Sequence, residues 1–153
     1  MSEIIALDFG TTNSVLAVAD SAGNVQSAKF EVGANSFDTY RTILYFWEEQ
    51  ELTAPGAPTH MQSRSGPFAI AEYLRESHDC RLIQSMKSYL ASKDFDGTDI
   101  FGTTYSIEDL IATFLTQIHH FAQHSLGWLG QRVISGRPVA FAGSNPDNDF
   151  AEM

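Results

Sequence analysis

Between Ser106 and Gly127 the chain carries apolar residues at a spacing that only a helix brings onto one face. Ile107, Leu110, Ile111, Phe114, Leu115, Ile118, Phe121 and Ala122 recur at intervals of three or four, which sets their side chains on one stripe of an α-helix. Ser106 stands before the stripe and Asp109 three positions later. That pair predicts a capping box, and Gly127 supplies a stop. A helix with so long an apolar stripe has to cover a core.

The sequence before it supplies the layer to be covered. Residues 4–9 form an apolar run closed by Gly10, residues 15–19 a second run, and residues 25–30 a third after the turn material Asp20-Ser21-Ala22-Gly23-Asn24. The short connections predict an antiparallel meander of adjacent strands, with the helix packed across it. Residues 42–47 (Thr-Ile-Leu-Tyr-Phe-Trp) read as another strand. Residues 53–67, with Pro55, Gly56, Pro58, Gly66 and Pro67, read as a surface excursion. Residues 68–76 are expected to form a short helix. A second one is expected to hold Leu82, Ile83, Met86 and Leu90, and residues 92–102 a bend or hairpin. Arg132-Val133-Ile134-Ser135-Gly136 reads as a closing strand, with Pro138 barring a regular ladder beyond it. Asn145-Pro146-Asp147 resembles a helix start, but only a few residues follow. Strands, a long helix and a further strand make an α/β fold with a mixed sheet and packed helices, of a size for one domain.

Composition narrows the function. Nine Lys and Arg against nineteen Asp and Glu leave a net charge of -10. So few cations argue against a general nucleic-acid binder and against adsorption to anionic lipid. One cysteine, Cys80, permits neither an internal disulfide nor a thiolate zinc cluster. The opening residues lack a basic segment followed by a long apolar one, and no apolar stretch approaches the roughly 20 residues of a membrane span. A cytoplasmic protein is expected.

Asp8-Phe9-Gly10-Thr11-Thr12-Asn13-Ser14 is the segment richest in chemistry. It sets a carboxylate at the end of an apolar strand, then a glycine and two hydroxyls in a tight connection. Backbone N–H groups and hydroxyls converging in such a turn hold phosphate oxygens, and the carboxylate holds water or a divalent cation bridging to them. The same residues also make an ordinary Asp-x-Gly turn. No Gly-Lys-Ser/Thr follows, so it is not a P-loop.

Residues 5–14 closely resemble the first phosphate motif of the seventy-kilodalton heat-shock (DnaK-type) chaperones, within the actin and sugar-kinase superfamily. The order of further segments agrees. Thr42-Ile43-Leu44-Tyr45-Phe46 is similar to a family strand, without its proline. Arg81-Leu82-Ile83 resembles the family's Arg-Leu-Ile, and residues 105–127 resemble the long helix of the first subdomain. Val133-Ile134-Ser135-Gly136-Arg137-Pro138-Val139 is similar to the following strand, in a form closer to a divergent, chaperone-related branch. The resemblance implies an actin-like (ribonuclease H-like) lobe over 1–153, with a main subdomain at 1–37 and 104–153 and a smaller inserted one at 38–103. It implies an ATP-binding, ATP-hydrolysing chaperone-like protein. Asp8 would hold magnesium through water, Gly10 would let backbone approach phosphate, and Thr11 and Thr12 would donate to the β- and γ-phosphates. Asn13 matches the motif with a less defined role. Protein clients or a co-chaperone are the partners implied.

Two departures bear on that implication. The family's catalytic lysine precedes Arg-Leu-Ile, and Cys80 stands there; a thiol supplies no fixed positive charge. Lys87, six residues beyond Arg81 and about 9 Å along a helix, is the candidate replacement, with Arg81 another. The second phosphate motif and the adenosine-binding segment of the family's second lobe do not occur. The sequence therefore reads as an amino-terminal part of the nucleotide-binding domain. Alone it is expected to bind ATP weakly, to be catalytically inactive, and to self-associate through an incomplete sheet edge. A degenerate, non-enzymatic interaction domain is the alternative, and a sugar or metabolite kinase a third class. His119, His120 and His124 read as structural or solvated, Glu48, Glu49 and Glu51 as a solvated strand end, and Trp47, Trp128 and Phe141 as core or edge aromatics.

Overall fold

The computed structural model describes residues 4–50, 59–75, 79–90 and 95–136. The apolar runs at the amino end form β1 (Ile4–Asp8), β2 (Asn13–Ala19) and β3 (Val25–Ser27), each antiparallel to the one before. Ile5 pairs with Val18 and Leu7 with Leu16, so all four side chains share the face that the long helix covers. The β2–β3 turn is closed by Asp20. Its carboxylate accepts from the Asn24 side chain at 2.8 Å and from the Ala22 and Asn24 amides at 2.9 Å. These bonds, the Asn24 side chain foremost, hold the Asp20 carboxyl below its ordinary range.

The expected third strand, 25–30, is two elements. Ala28 still donates to the Leu16 carbonyl at 2.8 Å, but the Lys29 amide turns to Ser125 Oγ at 2.9 Å. Phe30 is thereby carried into the core and starts a separate hairpin, β4 (Phe30–Val32) with β5 (Asn35–Phe37). β6 (Tyr40–Arg41) returns to the start of β2, and β7 (Ile43–Gln50) leads away as the middle strand of a second sheet.

Two expectations fail in that second sheet. Thr59–Ser65, assigned to a surface excursion, is β8, antiparallel to β7. The prolines and glycines behind that assignment sit at 55–58, outside the described residues, and at 66–67, where α1 (Gly66–Arg75) opens. The helix expected around Leu82 and Ile83 is instead strand β9 (Cys80–Gln84), on the other edge of β7, and only Met86–Tyr89 turns, as a 3-10 segment. β7 is apolar on both faces. Leu44 and Phe46 enter the main core, whereas Ile43, Tyr45 and Trp47 pack with Ala69, Cys80 and Leu82. As a strand, β9 sends Leu82 and Ile83 to opposite faces, one to each cluster, which a helix would not do.

The bend or hairpin expected over 92–102 is a hairpin displaced toward the carboxyl end, β10 (Thr98–Ile100) with β11 (Thr103–Tyr105), and residues 92–94 lie outside the described residues. The expected helix is α2 (Ile107–Leu126), with the Ser106–Asp109 capping box and Gly127 at its end. Leu110, Phe114, Ile118 and Ala122 form its buried stripe. β12 (Arg132–Ser135) runs parallel to β1, completing a sheet in the order β12-β1-β2-β3, with β6 also on β2. The fold is mixed α/β. Expectations for Pro138 and for 145–153 lie outside the described residues. No helix among the described residues is long and apolar enough to cross a membrane.

One aromatic residue ties these parts together. Tyr40, fully buried, lies 4.6 Å from Phe30, 5.5 Å from Phe114 and 6.4 Å from Phe68, measured between ring centroids. Its hydroxyl bonds Ser65 Oγ at 2.6 Å. Gly66 lies against the ring: a Cβ there would fall 2.4 Å from two ring carbons, and its φ of +62° favours glycine independently. Burial pushes the Tyr40 phenol well above the ordinary tyrosine value of 10.0. Because the folded state holds the proton more tightly, this stabilisation is complete below pH 10 and is lost as pH rises toward the folded value. Tyr40→Phe should therefore flatten the alkaline fall in stability. At neutral pH it should cost about 1–3 kcal/mol, since buried Ser65 loses its partner. Denaturation midpoints between pH 7 and the alkaline limit test both; an alkaline fall unchanged in Tyr40→Phe would refute the assignment.

Candidate functional site

The motif turn sits where β1 ends and β2 begins, at one end of the main sheet. Asp8 closes β1 and is exposed, as are Thr11, Thr12 and Asn13. Phe9 points inward and packs on Phe114 of α2 at 5.6 Å, anchoring the turn to the core. Gly10 is required by the turn itself: a Cβ would lie 2.1 Å from the Asn13 carbonyl oxygen. That distance leaves no room for a side chain without moving backbone.

The turn is held by its carbonyls. The Thr12 carbonyl accepts from the Thr42 amide at 2.8 Å, and the Phe9 carbonyl accepts from Lys87 Nζ. Beneath it, Ser14 Oγ and Thr42 Oγ1 share a buried hydrogen bond of 2.9 Å. Among the described residues, the contacts fixing the turn thus run through carbonyls and leave the amides of Gly10, Thr11 and Thr12 for another acceptor. Backbone amides free in a rigid turn are the elements of an anion site.

The structure brings Lys87 to this turn, by a route other than a helix. β9 ends at Gln84, Ser85 takes a left-handed conformation (φ 57°, ψ 31°), and the 3-10 turn begins with Met86 fully buried. Lys87, next in line and half-buried, reaches back so that its ammonium also stands 5.7 Å from the Phe9 ring centroid. The distance of 9 Å expected along a helix therefore does not apply. Cys80 stands at the start of β9, opposite Trp47. Arg81, the other candidate cation, donates instead to Thr98 Oγ1 at 3.2 Å.

A residue that the sequence reading passed over also belongs here. Arg41 pairs with Asn13 across the β6–β2 ladder, and its Nη1 lies 3.4 Å from Asn13 Oδ1. Thr11, Thr12, Arg41, Thr42, Gln84 and Ser85 line a cleft of about 50 Å³. Larger clefts, of about 510 Å³ beside Trp128 and about 620 Å³ beside Thr113, contain none of the motif residues. Arg41 lies 28 positions from Asn13, and only the strand pairing reveals their proximity.

Among the described residues, no three His, Cys, Asp or Glu side chains converge as a metal cage would require. Magnesium does not require one: it binds through one or two carboxylates plus phosphate and water oxygens, and the exposed Asp8 beside two threonines fits that donor set. His120 and His124 are exposed with ring centroids 5.3 Å apart, and His119 is exposed as well. Glu48 and Glu49 are exposed near the end of β7, and Glu51 and Phe141 lie outside the described residues. Trp47 is buried in the smaller core cluster; Trp128 is 61% exposed.

The rigidity of the turn is testable through its glycine. Gly10→Ala should force the Asn13 carbonyl outward, weaken the Thr42–Thr12 bond and cost about 1–3 kcal/mol in backbone strain. Amide hydrogen exchange at Thr42 should accelerate and the denaturation midpoint should fall. Unchanged exchange at Thr42 would mean that the turn adapts without strain. Compared with models of known protein families, the chain matches none.

Proposed function

We propose that the turn from Asp8 to Asn13 binds the phosphates of Mg-ATP, and that the protein is an ATP-dependent, chaperone-like protein of actin-like fold, acting in the cytoplasm on protein clients. One observation carries most of this reading: Lys87 is bonded to the carbonyl of Phe9, inside the motif turn. In this reading Lys87 takes the part of the lysine that the resembled family has at the position of Cys80, and its bond to the Phe9 carbonyl supports that assignment. In this reading the amides and hydroxyls of Thr11 and Thr12 hold phosphate oxygens. Asp8 would hold magnesium, which would supply neutralisation of phosphate charge, and Lys87 would balance charge on the transferring group. In a complete nucleotide-binding domain, with the second lobe that this sequence does not carry, hydrolysis would be in-line: a water oxygen bonds to the γ-phosphorus, the bond to the β–γ bridging oxygen breaks with its electron pair leaving on ADP, and the water proton passes to solvent.

A second reading, a non-enzymatic interaction domain, is favoured by a different feature. Among the described residues β12 is an edge strand of the main sheet, and its Val133 and Ile134 are 57% and 61% exposed. An exposed apolar edge is a template for pairing with another chain. Concentration-dependent sedimentation that Val133→Lys abolishes would support it.

The nucleotide reading is tested by titrating the labelled chain with Mg-ATP and following the amide resonances of Thr11 and Thr12. Thr11→Val and Lys87→Met should each weaken binding about tenfold or more, the range for hydrogen bonds to charged groups. Where single-turnover hydrolysis is measurable, Lys87→Met should slow it. No resonance shift at any magnesium concentration would defeat the proposal, and full affinity in Lys87→Met would remove Lys87 from it.

A further inference from the structure

Arg41 has the properties of a ligand-binding cation rather than of a structural one. Guanidinium groups present five N–H donors in a rigid fork matched to phosphate oxygens. Among the described residues Arg41 spends one of them, on Asn13 Oδ1 at a long 3.4 Å. An exposed arginine is ordinarily a solvated surface group. Among the described residues Arg75 pairs with Glu72 at 2.8 Å, Arg64 donates to the Ser63 carbonyl at 3.0 Å and Arg81 to Thr98 Oγ1 at 3.2 Å. Arg41 and Lys87, the two cations at the motif turn, have no carboxylate partner among the described residues; Lys87 is on the Phe9 carbonyl.

The side chain of Arg41 is exposed, but its backbone is fixed on both sides. Tyr40 before it is locked in the core, and Thr42 after it is tied to Thr12 through its amide and to Ser14 through its hydroxyl. The guanidinium is therefore attached to a rigid base beside the small cleft that it lines with Thr11 and Thr12. Fixing the base lowers the ordering cost of each contact the fork then makes. We propose that Arg41 is a phosphate-binding residue of this site, its guanidinium closing on oxygens of a polyphosphate seated on the Thr11–Thr12 turn. The inference rests on the phosphate reading of that turn and adds to it a specific side chain that no spacing in the sequence marks.

The test uses the full chain, isotopically labelled, with two probes: magnesium tripolyphosphate, which carries no nucleoside, and Mg-ATP. Amide shifts at Thr11 and Thr12 report affinity, and hydrogen exchange at Thr42 reports the integrity of the turn. Arg41→Gln should raise Kd for both probes about tenfold, as loss of charge-assisted bonds predicts, with Thr42 exchange unchanged. Arg41→Lys, which keeps charge and loses the fork, should recover part of the affinity. Arg75→Gln, remote from the turn, should bind as wild type. Wild-type affinity in Arg41→Gln overturns the inference and leaves the phosphate reading standing. Weakened binding together with accelerated Thr42 exchange also overturns it, because Arg41 would then act only by supporting the turn. Equal loss in Arg41→Lys and Arg41→Gln keeps the inference and assigns the contact to the geometry of the fork rather than to charge alone. No wild-type shift with either probe overturns the phosphate reading and this inference together.

Discussion

The ring of Tyr40 is the constraint on which the other parts depend. It is held by Phe30 from the β4–β5 hairpin, Phe114 from α2 and Phe68 from α1, and it closes on Gly66, where no Cβ fits. Interiors pack at crystal-like density, so a large ring shared by four elements fixes their relative positions. The effect reaches the candidate site through the chain itself. Tyr40 pairs with Ser14, and the next two residues, Arg41 and Thr42, meet Asn13 and Thr12. A residue with no chemistry of its own thereby sets the geometry of the residues that have it.

The turn is fixed at more than one point. Phe9 reaches down to Phe114, Thr42 holds the Thr12 carbonyl, and Lys87 holds the Phe9 carbonyl. A turn restrained through its carbonyls keeps its amides in place without occupying them, the condition for electrostatic binding without reorganisation. Ser85 contributes from the other side. Its left-handed backbone is uncommon for a non-glycine residue and directs the 3-10 turn so that Met86 faces the core while Lys87 faces the motif. Strain of this kind persists where surrounding packing over-determines it.

Local signals in the sequence identified the elements that local physics decides. The α2 cap, stripe and stop occur as the spacing of Ser106, Asp109, Phe114 and Gly127 indicates, and β1 and β2 follow their apolar runs to within two residues. The errors came where a partner strand decided the outcome. Thr-His-Met-Gln-Ser-Arg-Ser has no strand signature of its own and becomes β8 because β7 offers a ladder. Leu82, Ile83 and Met86 have helical spacing, but β7 presents two apolar faces to be served at once, and only a strand serves both. The run from Val25 to Phe30 broke because Ser125, 96 positions from Lys29, captured its amide. At the site, Asp8 through Asn13 were legible as one continuous motif. Lys87 was expected to reach the motif by its long stem from a helix and reaches it from the 3-10 turn after β9, and the proximity of Arg41 to Asn13 is created by the ladder alone.

Charge sets a last condition on the site. The chain carries -10 overall, yet at physiological ionic strength charges beyond about 8 Å are largely screened. On the proposed reading, a polyphosphate would therefore meet the local set: Lys87 and Arg41 in favour, Asp8 against. A carboxylate beside a phosphate is repulsive unless a cation lies between them, so Asp8 should make binding conditional on a divalent ion. Asp8→Asn removes that repulsion and the magnesium contact together, with little change in shape. Its effect should then reverse sign with magnesium. With magnesium present the variant should bind tripolyphosphate more weakly than wild type; with magnesium chelated it should bind more tightly. Titrations of both proteins with and without chelator decide this, and a variant weaker in both conditions would assign Asp8 to shaping the turn rather than to holding an ion.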